Sequence, residues 1–139
     1  DRDLQGVVLL DAWNAGATGA QLSEIPKGEL RATADKRFDD LGNSLQGATA
    51  VSVAEEIIAH HADWNYQFWA SELTHDPLLI IGASRGRGED NRKLAQAVTA
   101  AGGMVTAVVL ETDHSFQDRR IALAGLVVDW LHKLPKEKK

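Results

Sequence analysis

Cysteine is missing altogether, and its absence excludes disulfide frameworks, thiolate nucleophiles and cysteine-ligated metals. Also missing is any apolar stretch near the roughly 18 uninterrupted residues that a membrane span requires, so no bilayer role is expected. The opening Asp1-Arg2-Asp3-Leu4 has neither the basic start nor the apolar run of a signal peptide, which leaves the compartment open and leans to the cytoplasm. A basic surplus is lacking too. The formal net charge is −5 and the basic residues are scattered, apart from the tail around Lys136, Lys138 and Lys139, so nucleic acid is not an expected partner. No internal repeat or low-complexity segment appears before that tail.

What is present is a set of aliphatic runs suited to a buried sheet. Leu4-Gln5-Gly6-Val7-Val8-Leu9-Leu10 ends at Asp11, Pro77-Leu78-Leu79-Ile80-Ile81 ends at Gly82, and Val105-Thr106-Ala107-Val108-Val109-Leu110 follows later. The first is aliphatic rather than alternating, so it predicts a strand covered on both faces, and all three suit a parallel sheet. Between the second and third, Leu94, Ala97, Val98 and Ala101 recur at helical spacing over 90–101, and Gly102-Gly103 suits the helix end. Strand, helix, strand in this order predicts a right-handed crossover. A last helix is marked by Ile121, Leu123, Ala124, Val127, Val128 and Leu131, and Pro135 stops it.

Residues 12–75 contain no strand-like run. Gly16, Gly19, Gly28, Gly42 and Gly47 punctuate short helical patterns, among them 51–62 with the stripe Val53, Ile57 and Ile58, and 66–73 with Phe68 and Trp69. A dozen or so residues suffice for a simple crossover, so this long helical stretch predicts an inserted cap.

The segment with most chemical content is Glu111-Thr112-Asp113-His114-Ser115-Phe116-Gln117-Asp118-Arg119-Arg120-Ile121-Ala122-Leu123. An imidazole titrates near neutrality, so a loop that presents His114 suits proton transfer in both directions. The alternative is a structural histidine at a helix start. This segment resembles the loop after the last strand of α/β-hydrolases, in which an aspartate-histidine pair opens the final helix. The resemblance extends over nearly the whole chain. It implies a partial α/β-hydrolase fold, with three parallel strands and flanking helices over 1–11 and 76–139 and a helical cap over 12–75. It also implies hydrolysis of an ester or related acyl substrate, with His114 as general base and no cofactor.

Two parts of that pattern depart from the family. The nucleophile belongs on a Gly-x-Ser-x-Gly turn upstream of these strands, so it is expected outside this chain, together with oxyanion-hole amides. A non-catalytic binding protein that keeps part of the fold is the rival expectation. Gly82-Ala83-Ser84-Arg85-Gly86 does spell the motif, which makes Ser84 a candidate nucleophile for a self-contained enzyme, but the helix is expected to begin only near Glu89 or Asp90. Gly86-x-Gly88 is too short for a phosphate loop. The acid position after the second strand is vacant. Asp90 is the first substitute, with Glu89 behind it and Asp11 a further possibility; a helix cap is the other role open to Asp90. Asp113 is read as ordering the loop.

Trp13, Trp64, Phe68 and Trp69, with Tyr66, are candidates for an apolar acyl pocket, and ordinary core is the alternative. His60, His61 and Asp63 have metal-ligand chemistry, but adjacent helical positions point about 100° apart, so no metal is expected. The unflanked strand at 4–10 predicts either a homodimer or a partner that supplies the upstream half.

Overall fold

The computed structural model describes residues 4–134, without the side chains of 41–43; the lysine tail, Pro135 and Asp1-Arg2-Asp3 lie outside it. Among the described residues the strands are β1 (Val7–Leu10), β2 (Leu78–Ala83) and β3 (Val105–Leu110), paired in parallel in the order β1-β2-β3. The chain is an α/β protein. It divides into two compact units, Asp1–Trp13 with Gln67–Lys139, and Asn14–Tyr66. Among the described residues no helix is long and apolar enough to cross a membrane.

In the first unit, β2 is buried along its whole length because it has a strand on either side. Successive side chains of a strand face opposite ways, so Leu79, Ile81 and Ala83 share one face. Phe116 and Trp130 close over that face, with Leu123, Leu126 and Val127 of helix α5 (Arg120–Lys133) packed around them. Each fully buried aliphatic side chain there contributes about 1.5–3 kcal/mol. Gly6 makes room for the Trp130 indole, whose ring would overlap a Cβ at that position. The opposite face of β2 and β3 carries helix α4 (Gly88–Ala100), which buries Leu94, Ala95 and Val98. Its end is a Schellman turn: Gly102 takes φ +93°, donating to Thr99 O at 3.0 Å, while Gly103 N donates to Val98 O at 2.9 Å.

β1 is shorter than the aliphatic run that encodes it. It is also half-buried rather than covered on both faces, with Leu10 exposed at its end, because it forms an edge of the sheet. β3 is the other edge and is partly exposed.

The second unit is helical: α1 (Ala15–Ser23), α2 (Lys27–Ser44) and α3 (Ala50–Ala59). α3 packs on both others, and Leu22, Ala34, Phe38, Ala54 and Ile57 are buried. Thr49 caps α3 through a reciprocal pair with Ser52. Gly16, Gly19 and Gly28 lie inside helices rather than between them. The reason at the first two is close approach, since a Cβ on Gly16 would overlap the backbone of His61 and Asn65, and one on Gly19 that of Ile57. The 66–73 pattern, assigned to the first unit from Gln67 onward, forms two short 3-10 turns, Tyr66–Trp69 and Glu72–Thr74.

Candidate functional site

Parallel strands bring their carboxy-terminal ends to one edge of the sheet, and each strand here ends in a polar segment. β1 ends in Asp11, β2 in the loop 84–87, and β3 in the loop that holds His114. Asp11 has no solvent exposure. Its Oδ1 accepts from Ala83 N at 2.7 Å and Arg87 N at 2.8 Å, and its Oδ2 accepts from Arg87 N at 3.0 Å. His114 Nδ1 lies 2.7 Å from the same Oδ2, while the ring itself is 70% exposed.

Both Asp11 oxygens are engaged as acceptors, so Nδ1 is the donor to the carboxylate. The outward Nε2 is then the acceptor of the neutral ring. It has no partner among the described residues. A carboxylate buried this completely cannot reach a substrate, and burial without partners would cost several kcal/mol. Its bonds to two amides and an imidazole offset that cost and make it an orienting group.

The glycine-rich loop is built around this carboxylate. A Cβ on Gly86 would overlap Asp11 Oδ2, and one on Gly82 would lie 2.7 Å from Gly88 Cα. The spelling Gly-x-Ser-x-Gly therefore has a packing cause. Ser84 is exposed at the turn, and its hydroxyl makes no hydrogen bond among the described residues. The positive φ of a nucleophile elbow is not found at Ser84; among the described non-glycine residues it occurs at Asp11 (φ 42°) and Phe116 (φ 54°).

The partner of the imidazole is Asp11, not Asp90. Asp90 and Glu89 sit in the first turn of α4, where carboxylates complement the helix dipole, and Glu89 is bound by Arg92 at 2.8 Å. α4 begins at Gly88, a little earlier than its apolar spacing indicates, and Arg87 rather than Asp90 is its cap residue.

The histidine loop is fixed from both sides. Ser84 N donates to Leu110 O at 2.9 Å and Arg85 N to Thr112 O at 3.0 Å, so the two loops are joined by backbone. Buried Thr112 donates its hydroxyl to Asp118. Asp113 turns back on Ser115, accepting from its N at 2.9 Å and its Oγ at 2.5 Å. The Ser115 hydroxyl, then its amide, then the Arg85 charge hold the Asp113 carboxyl below the usual carboxylate range. Phe116 anchors the far end in the core.

Asn91 is a residue that sequence reasoning missed. It is buried, its Oδ1 accepts from Ala12 N at 3.0 Å, and its Nδ2 donates to Ala12 O at 2.9 Å and Arg87 O at 2.8 Å. This clamps the chain just after Asp11 to the loop that cradles it. The available signal was a polar residue on the same face of α4 as Leu94, Ala95 and Val98.

Of the aromatic candidates, Trp13, Phe68 and Trp69 belong to the unit that holds Asp11 and His114. Phe68 and Trp69 are exposed rather than core, and Trp13 lies under the Arg87 guanidinium, 5.8 Å from ring centroid to Cζ. Trp64 belongs to the helical unit and stacks on His60, with ring centroids 4.9 Å apart. His60 Nε2 faces Glu56 at 3.4 Å and His61 Nδ1 faces Ile58 O at 2.8 Å, so the two imidazoles have separate partners. Comparison of the chain with family models, with curated proteins and with solved structures finds no match.

Proposed function

We propose that the chain is the acid-base portion of a serine hydrolase of α/β-hydrolase type, acting on an ester or related acyl substrate. In this reading His114 is the general base and Asp11 is the acid that orients it. The observation that carries the reading is the 2.7 Å contact between His114 Nδ1 and a fully buried Asp11 carboxylate, made by a ring that is otherwise exposed. Buried acid, exposed imidazole and an outward acceptor nitrogen are what proton transfer to and from a hydroxyl requires.

His114 Nε2 takes the proton of a serine hydroxyl as that oxygen attacks the acyl carbon. Asp11 stabilises the imidazolium that results. The proton then passes to the departing alcohol, and a water repeats the cycle on the acyl intermediate. The nucleophile and the oxyanion donors are assigned to residues outside those described. Trp13, Phe68 and Trp69 are the proposed apolar contacts for the acyl group within this unit. The exposed edge of β1 is where a second copy or the half that carries the nucleophile docks.

The test is fluorophosphonate labelling of the complete gene product, followed by peptide mapping. The expected adduct is on a serine outside residues 1–139. His114→Ala abolishes it, and Asp11→Asn slows ester turnover on the order of 10⁴-fold. An adduct on Ser84 selects the self-contained enzyme instead, and no adduct at all selects the non-catalytic binding protein.

A further inference from the structure

We infer that the substrate of this site bears a carboxylate, seated on the guanidinium of Arg87. The inference rests on the hydrolase reading for its place in a reaction, but the anion site itself follows from separate observations. Arg87 donates its backbone N–H to Asp11 Oδ2, the oxygen that also faces His114 Nδ1, so its main chain is fixed beside the imidazole. Its side chain is half-buried and lies over Trp13, 5.8 Å from the ring centroid. Among the described residues no carboxylate pairs with it.

Arg92 on the next turn behaves differently, since Glu89 binds its guanidinium through both carboxylate oxygens at 2.8 and 2.9 Å. Arg85, on the same loop, stands exposed with its charge near Asp113. Arg87 is therefore a cation partly withdrawn from water and lying over an indole, with no carboxylate partner among the described residues.

A guanidinium is attracted to an aromatic face, and its planar fork matches a carboxylate in two parallel hydrogen bonds. The contact with Trp13 and the fixed main chain restrict the side chain, which lowers the ordering cost of binding. The ligand class is an ester that carries a free carboxylate, such as a dicarboxylic hemi-ester. Its ester carbonyl would lie toward His114 and its anion toward Arg87.

The experiment is a heteronuclear NMR titration of the full chain, following the Trp13 indole N–H and the Arg87 Nε–H, with monomethyl succinate and dimethyl succinate as probes. Monomethyl succinate is expected to shift both signals saturably and to bind about tenfold or more tightly than the diester, the size of one charged hydrogen bond. Arg87→Gln should remove this preference and Arg87→Lys should weaken it, whereas Arg85→Gln should retain most of it. Equal binding of the two probes by the unmodified chain overturns the inference, as does preference retained in folded Arg87→Gln. If Arg87→Gln does not fold, the comparison of probes on the unmodified chain decides alone. Binding needs no nucleophile, and His114→Ala should leave the preference in place. Absence of any fluorophosphonate adduct on the unmodified complete gene product, with the preference intact, would thus sink the hydrolase reading and not this one.

Discussion

Gly86 is the residue on which the carboxylate cradle depends most directly, because its missing side chain is the space that Asp11 Oδ2 occupies. Gly86→Ala forces either the loop or the carboxylate to move. The expected cost is about 1–3 kcal/mol, in the range of overpacked cores, read from the urea midpoint, together with loss of the His114 to Asp11 contact in the imidazole ¹⁵N shifts. An unchanged midpoint with unchanged shifts would show that the loop has slack. Asp113 supplies a second expectation. Its carboxyl is depressed by the Ser115 hydroxyl and amide, so its contribution to loop order is present above the unfolded carboxylate range and is lost as pH falls through the lower folded value. Ser115→Ala removes the larger of the two donors, and a ¹³C titration of the Asp113 carboxyl should then give a higher midpoint. A midpoint that stays put would reject the hydroxyl as the cause.

At the scale of elements, period and punctuation reveal more than the roles of single residues. β2, β3, α4 and α5 are readable because their apolar spacing is strand-like or helical and their ends bear glycine or polar residues. The partner of the His114 imidazole was harder to read. Asp90 lies on the helix after β2, near the expected acid position in sequence, but parallel strands converge at their carboxy-terminal ends, and there the polar residue that closes β1 is Asp11. A buried charge ending an aliphatic run was the visible signal, outweighed by chain order. Gly16 and Gly19 give an ambiguous signal for a related reason, since a glycine that breaks a helix and one that lets helices touch look alike in one sequence. Their spacing places both on the face that α3 contacts. Gly19→Ala should therefore destabilise the helical unit by about 1–3 kcal/mol instead of stabilising α1 through propensity. Hydrogen exchange of α1 and α3 amides is the check, and slower exchange would contradict the close packing.

For the molecule as a whole, α5 is apolar on two sides. Trp130, Leu123, Leu126 and Val127 face the sheet, while Ile121, 91% exposed, and the exposed Val128 and Leu131 recur along the other side. Apolar side chains exposed in a row along a helix mark a surface that another chain can cover, and β1 adds a strand edge with free backbone groups. The protein is expected to self-associate when concentrated. Light scattering tests this, with Ile121→Glu and Val128→Lys together expected to lower the apparent mass. A single monodisperse monomer of the unmodified chain at high concentration would contradict it.

The pair Asp11 and His114 is separated by 103 positions in the chain, and Ala83 and Arg87 complete the same knot from a third stretch of sequence. Contacts of such long range carry a large loop-closure cost and are expected to form late in folding. The proton that Nδ1 donates to the carboxylate is consequently a reporter of completed folding: a downfield imidazole resonance appearing during refolding would mark the moment when the sheet has closed, and a compact intermediate would lack it.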